Sequence, residues 1–127
     1  MSKVEYWVDI AIYDMETARA MNSSKRYLYV GFMCHQVMEK ALKAYYVKHL
    51  GGNPPYTHNL TLLAEKSGIY IKMSDEQKDF LDFLEPLNIE ARYPTTKEKL
   101  LAILNDEKCQ EIINRAGGEL EWILQKL

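Results

Sequence analysis

The residues best suited to chemistry sit in one polar run, His35-Gln36-Val37-Met38-Glu39-Lys40-Ala41-Leu42-Lys43-Ala44. Residues three and four apart share a helix face, so Gln36, Glu39, Lys40 and Lys43 line up if the run is helical. Glu39 stands four residues before Lys43, the favourable order for a helical ion pair worth roughly 0.3–0.5 kcal/mol. A solvated charged face is the plainer account of the same pattern. The second candidate is Thr57-His58-Asn59-Leu60. A histidine at the mouth of a helix fixes a loop by donating to a backbone carbonyl, or serves as an acid or base near neutral pH. The third is Ala91-Arg92-Tyr93-Pro94. Proline drives Tyr93 into an extended conformation, which would aim the Arg92 guanidinium back at the helices. Such a fork suits phosphate or carboxylate, and a structural clamp on Glu39 would use it equally well.

Other chemistries find less support. Glu76, Asp79, Asp82 and Glu85 form an acidic ladder whose neighbours are close enough to share a cation. The chain has no Glu-x-x-Glu and no second matching set of carboxylates, so a solvated face is the expectation. Glu-x-x-His, the signature of carboxylate di-iron bundles, is absent. His35, His49 and His58 lack zinc spacing, and there is no glycine-rich phosphate loop. Neither a metal nor a cofactor is expected.

These residues must be positioned by helices, because nearly every segment carries helical period and nothing alternates like a strand. A first helix is expected from Lys3 to Met21, with Trp7, Ile10, Ala11, Asp14 and Ala18 on one face. Ser23 or Ser24 would cap a long second helix from Lys25 to Leu50. Its broad stripe (Val30, Cys34, Val37, Met38, Ala41, Tyr45) marks a central element, ended by Gly51-Gly52 and Pro54-Pro55. A short helix from Leu60 to Lys66 stops at Gly68. Ser74 with Gln77 forms a capping box for a helix to Leu87. Thr95 with Glu98 suggests another for a short helix through Leu104. Asn105 or Asp106 caps a last helix to Leu127. Gly117-Gly118 weakens that helix by about 1 kcal/mol per glycine, so close packing is expected there. The fold class is therefore all-α: an up-and-down bundle of four main helices plus short ones, forming one domain over residues 1–127.

Composition agrees. The 127 residues are 47% hydrophobic and 27% charged, enough for a single core without staples. A net charge of −2 and a pI near 5.9 argue against a general nucleic-acid binder, so any RNA contact would be local. No apolar run reaches bilayer length and the start has no signal layout, so a cytoplasmic location is expected. Cys34 and Cys109 fall in helices and read as buried free thiols. Among nine tyrosines, Tyr27, Tyr29, Tyr45 and Tyr46 are candidates for an interface.

Taken in order, these pieces resemble the HEPN domain family over essentially the whole chain. Trp7 lies in an amphipathic first helix, followed by Gln36-x-x-Glu39-Lys40-x-x-Lys43-Ala44, then a proline-rich loop with His58-x-Leu60. Arg92-Tyr93-Pro94 and a closing helix ending in Glu121-Trp122-Ile123 complete the order. The resemblance implies a helical bundle that commonly forms homodimers and in many cases is encoded beside a minimal nucleotidyltransferase, in a two-gene module often of toxin–antitoxin type. Some members are metal-independent ribonucleases, marked by an arginine followed after four to six residues by a histidine. Here the corresponding positions after Arg92 are Lys97, Glu98 and Lys99. The expectation is therefore a non-catalytic domain binding a nucleotide, a nucleotidyltransferase partner, or both. Lys43, His58 and Arg92 would hold the anion, with Gln36, Glu39 and Tyr93 orienting them. One alternative is a divergent ribonuclease using His58 and Arg92, with RNA as substrate. The other is a purely structural domain for dimerisation or partner docking.

Overall fold

The structure, a computed structural model, describes residues 1–88 and 94–127. Among these there are six α-helices and no strand. Helix α1 (Lys3–Ser23) opens on a capping box: the Ser2 hydroxyl accepts from the Glu5 amide, and the Glu5 carboxylate accepts from the Ser2 amide. Its buried residues Ala11, Met15, Ala18 and Asn22 recur at four, three and four, one face along which α1 packs on α2 and α6.

The turn that follows differs from expectation. Ser24 closes α1 instead of capping the next helix, its amide donating to the Ala20 carbonyl, while Ser23 Oγ donates back to Arg19. The chain reverses at Lys25, in the left-handed region with φ 60°. Arg26 then precedes α2 (Tyr27–Leu50) and makes no side-chain cap. The serines come too early because α1 runs on past Met21.

Helix α2 is central, packing on α1, α6, α3, α4 and α5. Val30, Cys34, Val37, Met38, Ala41, Leu42 and Tyr45 are all buried in its contacts. Tyr45, at 3% exposure, belongs to the core and not to a free surface, whereas Tyr29 is 52% exposed. Both cysteines are buried free thiols, pushed up to about 12 for Cys34 and about 11 for Cys109, in each case chiefly by burial.

Helix α3 (Leu60–Ser67) is capped by Asn59, whose side chain accepts from the Leu62 amide. Helix α4 (Asp75–Leu84) carries the expected Ser74–Gln77 capping box. Residues expected to extend it form a 3₁₀ turn, Glu85–Leu87, because Pro86 has no amide to continue the α-ladder. Gly31 on α2 makes room for that turn: a Cβ there would sit 3.0 Å from Leu87 Cδ1.

Helix α5 (Pro94–Ile103) begins on proline, which suits a first helical position. Thr95 therefore lies inside the first turn, and the Thr95–Glu98 box is not how the helix starts. Asn105 caps α6 (Asp106–Lys126), accepting from the Lys108 amide. The close packing expected at Gly117-Gly118 is not found. A Cβ at Gly117 would meet Arg19 at an ordinary 3.8 Å, and one at Gly118 would meet open space.

Candidate functional site

The middle of α2 and the loop before α3 meet at a buried carboxylate. Glu39 lies on the fourth turn of α2 and is only 2% exposed. His58 is placed opposite it by the loop: Asn59 caps α3, Thr57 Oγ1 accepts from the Asn59 amide, and the Leu60 amide donates to Glu85 on the 3₁₀ turn. The imidazole Nδ1 then donates to Glu39 Oε1 at 2.7 Å. Because a carboxylate only accepts, Nδ1 carries the proton, and the opposite nitrogen, Nε2, is an acceptor in the neutral ring. Nε2 has no partner among the described residues, and the His58 side chain is 59% exposed.

The second Glu39 oxygen faces two ammonium groups. Lys43 Nζ donates to Oε2 at 3.1 Å, and Lys40 Nζ stands 3.6 Å from it. Lys43 is 8% exposed and lies 5.3 Å from the centroid of the Trp7 ring, so α1 covers its charge. Lys40 donates to Gln36 Oε1 at 2.6 Å and comes within 4.0 Å of Asp14 on α1. Gln36 in turn donates to Asn88 at 3.3 Å. Burial acts to raise the Glu39 carboxyl, but the His58 hydrogen bond and the charges of Lys40 and Lys43 together outweigh it. The carboxyl is held below its ordinary range and stays ionised. At Asp14 burial prevails over Lys40, and the carboxyl is raised.

A second histidine lies behind the first. His35 is fully buried, and its Nε2 is 3.9 Å from Glu85, without a hydrogen-bond partner of ordinary geometry among the described residues. Burial pushes it down to about 4, against the pull of Glu39, so it is neutral near pH 7.

Of the residues singled out in the sequence, the structure joins Glu39, Lys43 and His58 directly, and Gln36 through Lys40. Arg92 and Tyr93 lie outside the described residues. Two simpler expectations are overturned: the polar face of α2 is not solvated at Glu39 and Lys43, and His58 donates to a carboxylate instead of a backbone carbonyl. Lys43 is also committed to Glu39 and Trp7, which leaves it as a charge behind the histidine more than a direct contact for an incoming anion. Sequence reasoning missed Asp14, Asn88 and His35 as members of the network. Only Asp14 left a signal, as a carboxylate within the apolar stripe of α1.

Elsewhere, Glu76, Asp79 and Asp82 are exposed, and no group of three or more metal-ligating side chains occurs among the described residues. No helix among them is long and apolar enough to cross a membrane.

The chain matches a family model described as the HEPN domain over residues 4–127. A solved structure from Thermus thermophilus superposes with a TM-score of 0.84 at 18% identity, covering 100% of both chains. An archaeal HEPN homologue superposes with a TM-score of 0.65 at 21% identity, covering 99% of this chain and 98% of that one. A comparison with curated proteins found no match.

Proposed function

This chain belongs to the HEPN domain family, and from that premise we propose that it is a non-catalytic binding domain that holds the phosphate of a nucleotide at His58. The observation that carries the proposal is the contrast within one hydrogen bond: an imidazole 59% exposed, fixed through Nδ1 by a carboxylate 2% exposed. A ring fixed in this way presents Nε2 to a ligand without having to be ordered on binding. In its protonated form Nε2 donates to a phosphate oxygen, while Lys40 and Lys43, paired with Glu39 and Asp14, keep the buried carboxylate that fixes the ring ionised. Arg92 is the sequence's second anion donor. In the wider proposal the domain works as a cytoplasmic homodimer beside a minimal nucleotidyltransferase, in a toxin–antitoxin-like module.

The test is a titration with ATP followed by NMR. Saturable shifts at His58 are expected, with affinity falling about tenfold or more in His58→Ala and in Arg92→Ala, a loss of about 1.4 kcal/mol. Unchanged affinity in both variants, or no shift at His58, would overturn the reading.

A ribonuclease is the second reading, favoured by the same pair, since a carboxylate-held imidazole is the arrangement of a general base. Cleavage would still need an acid for the leaving oxygen, and the family's arginine–histidine spacing is missing. Incubation with RNA in EDTA decides: cleavage abolished by His58→Ala supports it, and intact RNA refutes it.

A further inference from the structure

The turn between α1 and α2 and the face of α5 line an open cavity of about 240 Å³ that plays no part in the Glu39 network. Among the described residues three cationic side chains line it: Lys25 and Arg26 from the turn, and Lys97 from α5. Among the described residues no lining residue is acidic, and none of the three forms an ion pair. The rest of the wall is aromatic and apolar, including Tyr29, 52% exposed, and Leu101, 45% exposed. The first turn of α2 borders the same space, and its cap residue Arg26 supplies no side-chain acceptor, so the helix adds positive potential there. Like charges gathered in a concave surface without counter-ions among the described residues repel one another, and an anion relieves that repulsion.

We propose that this cavity is a site for the phosphate monoester of a small aromatic molecule. Lys25, Arg26 and Lys97 would hold the phosphoryl oxygens, and Tyr29 and Leu101 would cover the ring. The arginine fork and two lysines match a dianion with three free oxygens. Tyr29 offers a flat face at little cost in conformational freedom. The site is independent of His58: Arg26 and Glu39 are thirteen positions apart, roughly 20 Å along α2 at about 1.5 Å per residue. Either site can fail without the other.

The experiment is an NMR titration of the full chain with phenyl phosphate, and separately with inorganic phosphate. Saturable shifts are expected at the amides of residues 27–29 and 97–101, tighter for phenyl phosphate than for inorganic phosphate. The combined variant Lys25→Gln, Arg26→Gln, Lys97→Gln should weaken binding about tenfold or more. Tyr29→Ala should remove the preference for the aromatic ester, and His58→Ala should leave these shifts unchanged. All four substituted side chains in the cavity are exposed, so the variants should fold, with Lys97→Gln alone as a milder check. The proposal is overturned by undiminished affinity in the combined variant, by equal affinity for the two anions, or by shifts confined to the His58 loop.

Discussion

The middle of α2 and the outer face of α4 carry charge at nearly the same spacing, yet one is buried and the other lies in water. Glu39, Lys40 and Lys43 are interleaved with Val37, Met38, Ala41 and Leu42, all with no exposure. Apolar residues surround α2 on every side, so a charge there is carried into the core along with them. It remains charged only because opposite charges and hydrogen bonds accompany it. On α4 the apolar residues Phe80, Leu81 and Leu84 keep to one side, and Glu76, Asp79 and Asp82 are left exposed. That ladder has a single sign and no internal counter-charge. The lesson is that spacing puts charges on one face, while their apolar neighbours decide where that face goes.

The largest expected effect comes from opening the buried cluster. Glu39→Ala should destabilise the fold by about 3–5 kcal/mol in urea denaturation at pH 7, because Lys43 would remain buried without its counter-charge. A loss below about 1 kcal/mol would mean that the cluster is worth no more than a surface ion pair, and the comparison would collapse.

Next comes pH. His35 ionises at about 4 in the folded chain, against an ordinary 6.5, because burial outweighs the opposing pull of Glu39. Between those values the unfolded chain binds a proton that the folded chain refuses, so stability rises with pH across that window and falls on acidification. The drop from pH 6.5 to 4 should be about 3 kcal/mol. The depressed Glu39 carboxyl adds a loss of the same sign at pH values below its ordinary 4.5. His35→Gln should flatten the upper part of the curve. An unchanged slope in that variant would place the titration elsewhere.

The contrast has a steric form too. Gly31 sits against Leu87 in the middle of the molecule, and Gly31→Val should cost about 1–3 kcal/mol by overpacking. Gly118 faces open space on α6, and Gly118→Ala should gain about 1 kcal/mol from helix propensity. Thermal unfolding of the two variants checks both signs. If both lower the midpoint, the open space at Gly118 is wrong.

Much of this is legible in the sequence. Helical period, the Ser74–Gln77 box and the glycines after α2 and α3 are local signals, and the helices follow them. Glu39, Lys43 and His58 stand out by type and spacing, but their junction depends on a loop nineteen residues downstream folding back onto α2. Charge spacing on α2 alone says nothing about that loop. His35 gives no signal because a histidine in a polar run does not reveal which way it points. The cationic cavity is invisible for a related reason. Lys25 and Arg26 are ordinary turn residues until α5 brings Lys97 beside them.

The smallest effect tests the other half of the comparison. Asp79 is exposed on α4, within the ladder but without a hydrogen bond or ion pair among the described residues. Its neighbour Asp82 accepts from Thr61, and Glu76 lies in the first helical turn, where a negative charge is favourable. Asp79 therefore isolates what the ladder itself contributes. Asp79→Asn should change stability by no more than about 0.5 kcal/mol, and the sign should be favourable, because it relieves repulsion from Asp82 and Glu76. Screening by salt should remove even that gain, so denaturation at low and high ionic strength separates the repulsion from any other cause. A loss comparable to that of Glu39→Ala would show that α4 carries a buried or liganded charge after all, and apolar flanks would then no longer explain why the two ladders differ.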